Sequence, residues 1–233
     1  MTKKLEFNKF FTYFVKGVTK LKYQKIPEAT IRRLSRYSRC LEEMEQTGEE
    51  VVSSAQLAGR CMVNAAQVRK DLAYFGEFGI RGVGYYVKDL HNDIKKILGS
   101  NKEWRMAVVG IGNLGSALLS YKDFLKQNYK IVAAFDIDPQ KVIGRVSEKL
   151  GKPVEVLHIS RMKEVAKERK IEIGVITTPP SEAQGVTDLL VEAEVRGILN
   201  FAPTQIIVPE GFVAKDVFFT TILDNLAYLL SNN

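Results

Sequence analysis

Six consecutive residues, Gly110-Ile111-Gly112-Asn113-Leu114-Gly115, have the spacing G-x-G-x-x-G, and Asp136 follows Gly115 by 21 residues. This combination suits the pyrophosphate and ribose of a dinucleotide. Gly110 permits a tight turn out of a strand. Gly112 lets the backbone approach a pyrophosphate that a side chain there would strike. Gly115 lets the following helix pack close to the strand. The unpaired N–H groups and positive dipole end of that helix then meet the phosphates. Ile111, Asn113 and Leu114 belong to the same loop. Asp136 offers a carboxylate to both ribose hydroxyls, with Ile137 beside it. A 2′-phosphate would be repelled there, which favours NAD(H) over NADP(H).

The elements that must hold these residues are legible on either side. Met106 to Val109 is an apolar run of strand length, and Ala117, Leu118, Tyr121 and Leu125 recur at helical spacing. Ile131 to Phe135 is a second strand-like run ending at Asp136. Further strand candidates are 154–157, 172–176, 197–199 and 217–219, with helices at about 160–169 and 181–195 between them. Alternating elements of this kind predict an α/β, Rossmann-like doubly wound parallel sheet. Ligands bind such sheets at the C-terminal strand ends. Thr177-Thr178-Pro179-Pro180 and Asn200-Phe201-Ala202-Pro203 both follow strands, so Thr178, Pro179, Asn200, Ala202 and Pro203 are expected to face the dinucleotide, the last three nearer the nicotinamide. Plain strand-to-helix turns would also account for the prolines. A glycine loop of this form also serves S-adenosylmethionine, or binds nothing. The chain ends in a segment, 220–230, whose apolar residues Ile222, Leu223, Leu226, Leu229 and Leu230 cover more than one helix face. Such a helix is expected to be buried, on its own sheet or against a second subunit.

The N-terminal half has a different pattern. Ile31, Leu34, Tyr37, Leu41 and Met44 recur at helical spacing after Pro27, and Arg32, Arg36 and Arg39 share another face, while Arg33 is a further candidate for DNA contact. Ser53 with Gln56, and Asn64 with Gln67, have capping-box form, which predicts short helices at 54–60 and 65–75 joined by a tight turn. Ala58, Val63 and Val68 would form the small core between them. This is a helix-turn-helix layout. Its second helix would present Ala65, Ala66, Gln67, Arg69, Lys70 and Tyr74; glutamine and arginine read base edges, while lysine and tyrosine hold phosphates. An ordinary helical hairpin with a basic face is the plainer reading. The glycine-rich stretch 76–87 predicts a hairpin with Arg81 and Gly82 at its tip, the wing of a winged helix, where an arginine suits a minor groove. Leu90 to Leu98 should link to a domain boundary at Gly99-Ser100-Asn101.

Charge separates the two halves. Residues 1–100 hold 18 Lys and Arg against 11 Asp and Glu, whereas the remainder holds 16 of each, so the whole net charge of +7 lies in the half without the glycine motif. A basic half of this kind suits a polyanion. Part of the excess belongs to residues 1–25, which mix lysines with Phe7, Phe10, Phe11 and Phe14. They read as a basic amphipathic helix, an arm that folds on a partner, or a poorly ordered extension. Cys40 and Cys61 lack metal-ligand spacing and read as reduced thiols of a cytoplasmic protein. No apolar run reaches the roughly 18 residues of a membrane span, and no signal peptide is recognisable.

A winged helix, a G-x-G-x-x-G domain and an apolar C-terminal helix in one short chain resemble the Rex family of bacterial redox-sensing transcriptional repressors. The matching stretches are Ile26–Arg39, Ala65–Gly76, Phe78–Tyr85, Val109–Ala117, Phe135–Pro139 and Leu199–Pro203. The resemblance covers 26–231 and implies a winged-helix domain at 26–99, an NAD(H)-binding domain at 100–219 and a dimerisation helix at 220–233; the extension at 1–25 is unlike a typical member, which starts near Ile26. It further implies a homodimer with the C-terminal helix swapped between subunits, a palindromic operator, and NADH binding that favours release of DNA over the NAD+ state. Phe219 matches the family's aromatic near the nicotinamide. Tyr121 and Arg39 match positions of a hydrogen-bond switch with an acid; where the family has that acid this chain has Phe218, with Asp216 and Asp224 nearby. No metal is implied. An NAD-dependent oxidoreductase would need a proton donor near the nicotinamide. The two histidines, His91 and His158, lie in the linking helix and after a strand, and no tyrosine is followed four residues later by lysine. A nucleic-acid methyltransferase would need a base-flipping pocket that no motif supplies.

Overall fold

The computed structural model describes residues 26–121, 124, 127–150 and 155–232. The expectations for residues 1–25 and for Leu125 lie outside them. The chain divides between Asn101 and Lys102 into two compact units.

In the first unit, α1 (Glu28–Gln46) buries Thr30, Leu34, Tyr37, Leu41 and Met44. The spacing of four, three, four, three is that of a single helical stripe. Ile31, expected in that stripe, is exposed, and Thr30 takes its place because its hydroxyl has a buried acceptor in Asp71. Strand β1 (Val51–Val52) follows, then α2 (Ser54–Arg60) and α3 (Ala65–Ala73). The Ser53 capping box forms in full: the Gln56 N–H donates to Ser53 Oγ at 3.2 Å and the Ser53 N–H to Gln56 Oε1 at 2.9 Å. At Asn64 only half the box forms. The Gln67 N–H donates to Asn64 Oδ1, but the Gln67 side chain turns down the helix to Asp71. Between the helices Met62 adopts φ 49°.

The predicted hairpin is a short one. The Ile80 N–H donates to the Gly84 carbonyl and the Gly84 N–H to the Ile80 carbonyl, which leaves Arg81 and Gly82 at the tip. Gly82 has φ 83°, a turn conformation that favours glycine. Strand β2 (Tyr85–Tyr86) then pairs antiparallel with β1, a pairing that two-residue strands do not announce in sequence. The linking helix α4 (Val87–Leu98) starts three residues before the predicted Leu90 and ends at Gly99 with φ 69°. Leu57, Ala58, Cys61, Val68 and Leu72 share one core with the buried faces of α1 and α4, and Val63 packs at its edge.

The second unit is a six-stranded parallel sheet of order β5-β4-β3-β6-β7-β8. Its strands are β3 (Trp104–Val109), β4 (Tyr129–Asp136), β5 (Leu157–His158), β6 (Ile173–Ile176), β7 (Gly197–Asn200) and β8 (Val213–Asp216). Helices α5 (Asn113–Leu119), α6 (Pro139–Leu150), α7 (Met162–Glu168) and α8 (Pro180–Glu192) connect them. The order reverses between β3 and β6, the topological switch point of a doubly wound fold. Along β3, Ala107 and Val109 enter one core with Leu190 and Val165, while Met106 and Val108 enter another with Val142 and Val175. Both faces are covered from Met106 to Val109, which is why that part of the strand reads as an unbroken apolar run.

Two strand predictions shift. The element expected at 154–157 is Leu157–His158, with 154 outside the described residues. The element expected at 217–219 lies earlier, at Val213–Asp216, because Phe219 already opens α9 (Phe219–Ser231). Burial of that helix on its own sheet is also corrected. Ile222, Leu223, Leu226, Leu229 and Leu230 are 51–71% exposed, and no residue of α9 is buried.

Candidate functional site

The three glycines of the loop serve different purposes. Gly110 leaves β3 with φ 90°, and a Cβ there would sit 2.7 Å from Thr178 Cγ2. A Cβ on Gly115 would strike the Gly110 carbonyl oxygen and come within 2.9 Å of Thr177 Oγ1. These two glycines are demanded by packing inside the protein. Gly112 is not, since nothing lies within 4 Å of the place its Cβ would occupy. Its lack of a side chain leaves open space in front of α5. Gly112 is also the N-cap of that helix and no side chain caps it, so its first-turn N–H groups are left for an anion.

Thr177 locks the loop to the neighbouring strand: its Oγ1 donates to the carbonyls of Gly110 at 2.6 Å and Val109 at 3.0 Å. Ser116 Oγ donates to the Gly112 carbonyl at 2.7 Å. Asp136 is held equally firmly. One carboxylate oxygen accepts the Ile111 N–H at 2.7 Å and the other the Asp138 N–H at 2.9 Å. Each oxygen keeps a further lone pair for a ribose hydroxyl. Leu114 and Ile137 stand exposed on either side, Ile137 at 74%, as an apolar flank for a base.

Across the switch point, Thr178 Oγ1 is shielded from solvent and has no hydrogen-bond partner among the described residues. Together with the space at Gly112, this orphaned hydroxyl is what a polar ligand lying over β3 and β6 would satisfy, so the residues present fit a dinucleotide. Asn200 has a different role from the one expected of it. It is fully buried; its Nδ2 donates to the Thr204 carbonyl and to Asp216 Oδ1, both at 2.7 Å, and its Oδ1 accepts the Ala202 N–H. It shapes the loop carrying Ala202 and Pro203. Pro179, the N-cap of α8, and Pro203 are exposed. The Phe219 ring lies 6.1 Å from Phe201, so the start of α9 closes on that loop. Tyr121 is exposed just beyond α5, edge-on to Phe124 at 5.0 Å.

In the first unit, the basic helix α3 contains one acid, Asp71, and it is completely buried. Arg33 grips it with two donors, Nε to Oδ2 at 2.6 Å and Nη2 to Oδ1 at 2.8 Å. Tyr37 donates to Oδ2 at 2.8 Å, and Thr30 and Gln67 donate to Oδ1 at 3.1 and 2.8 Å. Burial alone would raise the Asp71 carboxyl; the bonds from Arg33, Tyr37 and Gln67 outweigh it and hold it below the usual carboxylate range. The bond to Asp71 likewise raises Arg33, and burial pushes the Tyr37 hydroxyl up. Arg33 and Gln67, expected to reach outward, are therefore tied to the inside of the unit. Sequence reasoning passed over Asp71. The available signal was an acid four residues after Gln67 in an otherwise basic helix. Ala66, Arg69, Lys70, Arg81 and Gly82 are exposed, and Tyr74 is half-buried. Arg69 Nη1 donates to Ser54 Oγ at 2.9 Å, which extends the guanidinium toward the start of α2. Arg36 donates to the Cys61 carbonyl.

A family model described as the N-terminus of a putative DNA-binding protein matches residues 25–73, and one described as a CoA binding domain matches residues 101–204. The redox-sensing transcriptional repressor Rex of Syntrophobacter fumaroxidans is 53% identical over 211 residues, which span 91% of this chain and 99% of that protein. This chain belongs to the Rex family of redox-sensing transcriptional repressors. The Rex repressor of Carboxydothermus hydrogenoformans is 50% identical over 204 residues, 88% of this chain and 96% of its own length. Among solved structures, RSP, a Rex-family repressor, in complex with β-NAD+ and operator DNA matches with a TM-score of 0.82 at 34% identity, covering 90% of this chain and 94% of that one. RSP in complex with β-NADH matches with a TM-score of 0.77 at 33% identity, covering 90% and 96%. These Rex relatives are repressors, and the oxidoreductase and methyltransferase readings fall away with that.

Proposed function

We propose that this Rex chain is a cytoplasmic homodimer that binds a palindromic operator and releases it when NADH displaces NAD+. The observation that carries the reading is the open space at Gly112. Of the three loop glycines, it is the one whose missing side chain no internal contact explains. In this reading Gly110, Ile111, Gly112, Asn113, Leu114 and Gly115 receive the pyrophosphate, and Asp136 with Ile137 receives the adenosine end. Thr178, Pro179, Ala202, Pro203, Tyr121 and Phe219 surround the nicotinamide, with Asn200 positioning their loop. The bound dinucleotide supplies the redox signal, since its nicotinamide is charged in one state and neutral in the other. No chemical step is required of the protein.

On the DNA side, Arg69 and Ala66 face base edges and Lys70 and Tyr74 face phosphates. Arg81 and Gly82 of the wing reach the minor groove. Arg33 and Gln67 act through Asp71 by fixing α3 against α1. Two such helices in a dimer would enter successive major grooves. The exposed apolar face of α9 supports exchange of this helix with a second subunit, where about half of each leucine would leave water.

Fluorescence anisotropy of a labelled palindromic duplex at fixed salt tests the proposal, because phosphate contacts make affinity salt-dependent. NADH is expected to release the duplex and NAD+ to leave it bound. Binding insensitive to both nucleotides would contradict the sensor reading.

A further inference from the structure

The two cysteines of the chain take no part in either site, yet the fold brings them together. Cys40 lies on α1, and Cys61 is the residue that ends α2 at the helix-turn-helix turn. Their Sγ atoms are 2.6 Å apart, closer than two non-bonded sulfurs rest. Among the described residues no group of three or more His, Cys, Asp or Glu could hold a metal. The two thiols differ in access: Cys61 is buried and Cys40 is partly exposed. Burial, and then the contact with Cys40, pushes the Cys61 thiol up, against the pull of the Arg36 cation. Cys61 therefore stays protonated while Cys40 meets solvent.

We propose that Cys40 and Cys61 are a peroxide-oxidised thiol pair that closes to a disulfide inside the DNA-binding unit, a redox input separate from the dinucleotide site. The Cys40 thiolate attacks a peroxide; an S–O bond forms, the O–O bond breaks and hydroxide leaves, giving a sulfenic acid. Cys61 Sγ then attacks the Cys40 sulfur. The S–S bond forms, the S–O bond breaks, and water leaves with the Cys61 proton. Two thiols lose two electrons in all, and one hydrogen peroxide becomes two waters.

Closure brings the sulfurs from 2.6 Å to a bond length of about 2.05 Å, an approach of about 0.5 Å. The bond would pin the helix-turn-helix turn to α1 and restrict the unfolded chain over residues 40–61. Neither cysteine is among the exposed DNA-facing residues Ala66, Arg69, Lys70 and Arg81. The oxidised unit should therefore keep its operator affinity and resist unfolding, so that peroxide protects this half of the molecule rather than switching it off.

The test treats the full-length protein with near-stoichiometric hydrogen peroxide, then counts free thiols after denaturation and measures the intact mass without reductant. The expected result is loss of both thiols, a monomer lighter by two hydrogen atoms, and reversal by dithiothreitol. The thermal midpoint of the first unit should rise by on the order of 10 °C, with operator anisotropy unchanged. Cys40→Ser should leave the Cys61 thiol reduced at the same dose and abolish the rise. Should that variant fold poorly, the oxidised and reduced wild-type melts decide the matter alone. Persistence of both thiols, oxygen added to the mass, a cross-link between chains, or a fall in midpoint would each overturn the proposal. All of these readouts are independent of whether NADH releases DNA.

Discussion

Replacing Asp71 with asparagine removes one charge from the centre of the first unit and changes the shape very little. Five donors converge on this carboxylate, two from Arg33 and one each from Thr30, Tyr37 and Gln67. An asparagine in either orientation turns its NH2 toward at least two of them. Removing one partner of a buried ion pair costs about 3–5 kcal/mol. The Arg33 side chain is 26% exposed against 0% for Asp71, so water recovers part of that, and about 2–3 kcal/mol is the working figure. In a unit of this size, 1 kcal/mol moves the midpoint by about 4–8 °C, so a fall of about 10–20 °C is expected by scanning calorimetry at pH 7. The pH dependence gives an independent check. The Asp71 carboxyl is held below its ordinary value in the folded state. Its contribution is therefore complete above the unfolded value of about 3.9 and is lost as pH falls from there through the depressed folded value. The gap between wild type and Asp71→Asn should narrow below about pH 4. A shift under about 3 °C, or a gap that stays constant into acid, would refute the central place given to Asp71.

Three further outcomes follow from the geometry. Gly112→Val should leave the melt of the second unit unchanged and weaken NADH binding at least about 100-fold by calorimetric titration, or about 2.7 kcal/mol, whereas Gly115→Ala, forced against the Gly110 carbonyl, should cost about 1–3 kcal/mol of stability as well. Arg69→Ala should weaken operator binding by about 1–3 kcal/mol in anisotropy and leave NADH affinity intact; loss of both together would contradict the separation of the two sites. Leu226→Glu, on the exposed face of α9, should convert a dimer to a monomer in analytical ultracentrifugation, and a variant that remains dimeric would place the interface elsewhere.

The parts of this protein that could be read from sequence are those whose physics is local. The G-x-G-x-x-G loop, the apolar run Met106 to Val109 of β3 and the two capping residues Ser53 and Asn64 depend on neighbours within a few positions, and they stand where their residues place them. The hub at Asp71 depends on Arg33, Tyr37 and Thr30, some 34–41 residues away, and the one local signal, an acid four residues after Gln67, does not point to them. Thr177 likewise fastens the glycine loop from another strand, 67 residues from Gly110, and the Asn200 amide is consumed partly by nearby Thr204 and partly by Asp216, 16 residues on. The exposure of α9 was ambiguous for another reason: an apolar helix has the same sequence whether its cover is its own sheet or a second chain. Family membership was legible because AQVRKDLAYFG and RGVGY occur ahead of VGIGNLG in one chain.

The most direct test of NADH-controlled release is to measure NADH affinity with and without a saturating operator duplex, at one salt concentration. Coupling between two sites is reciprocal, so if NADH weakens DNA binding about 100-fold, DNA must weaken NADH binding by the same factor, about 2.7 kcal/mol. Equal factors from the two titrations are the expected result. An NADH affinity indifferent to DNA would contradict the sensor reading, however tightly each ligand binds alone.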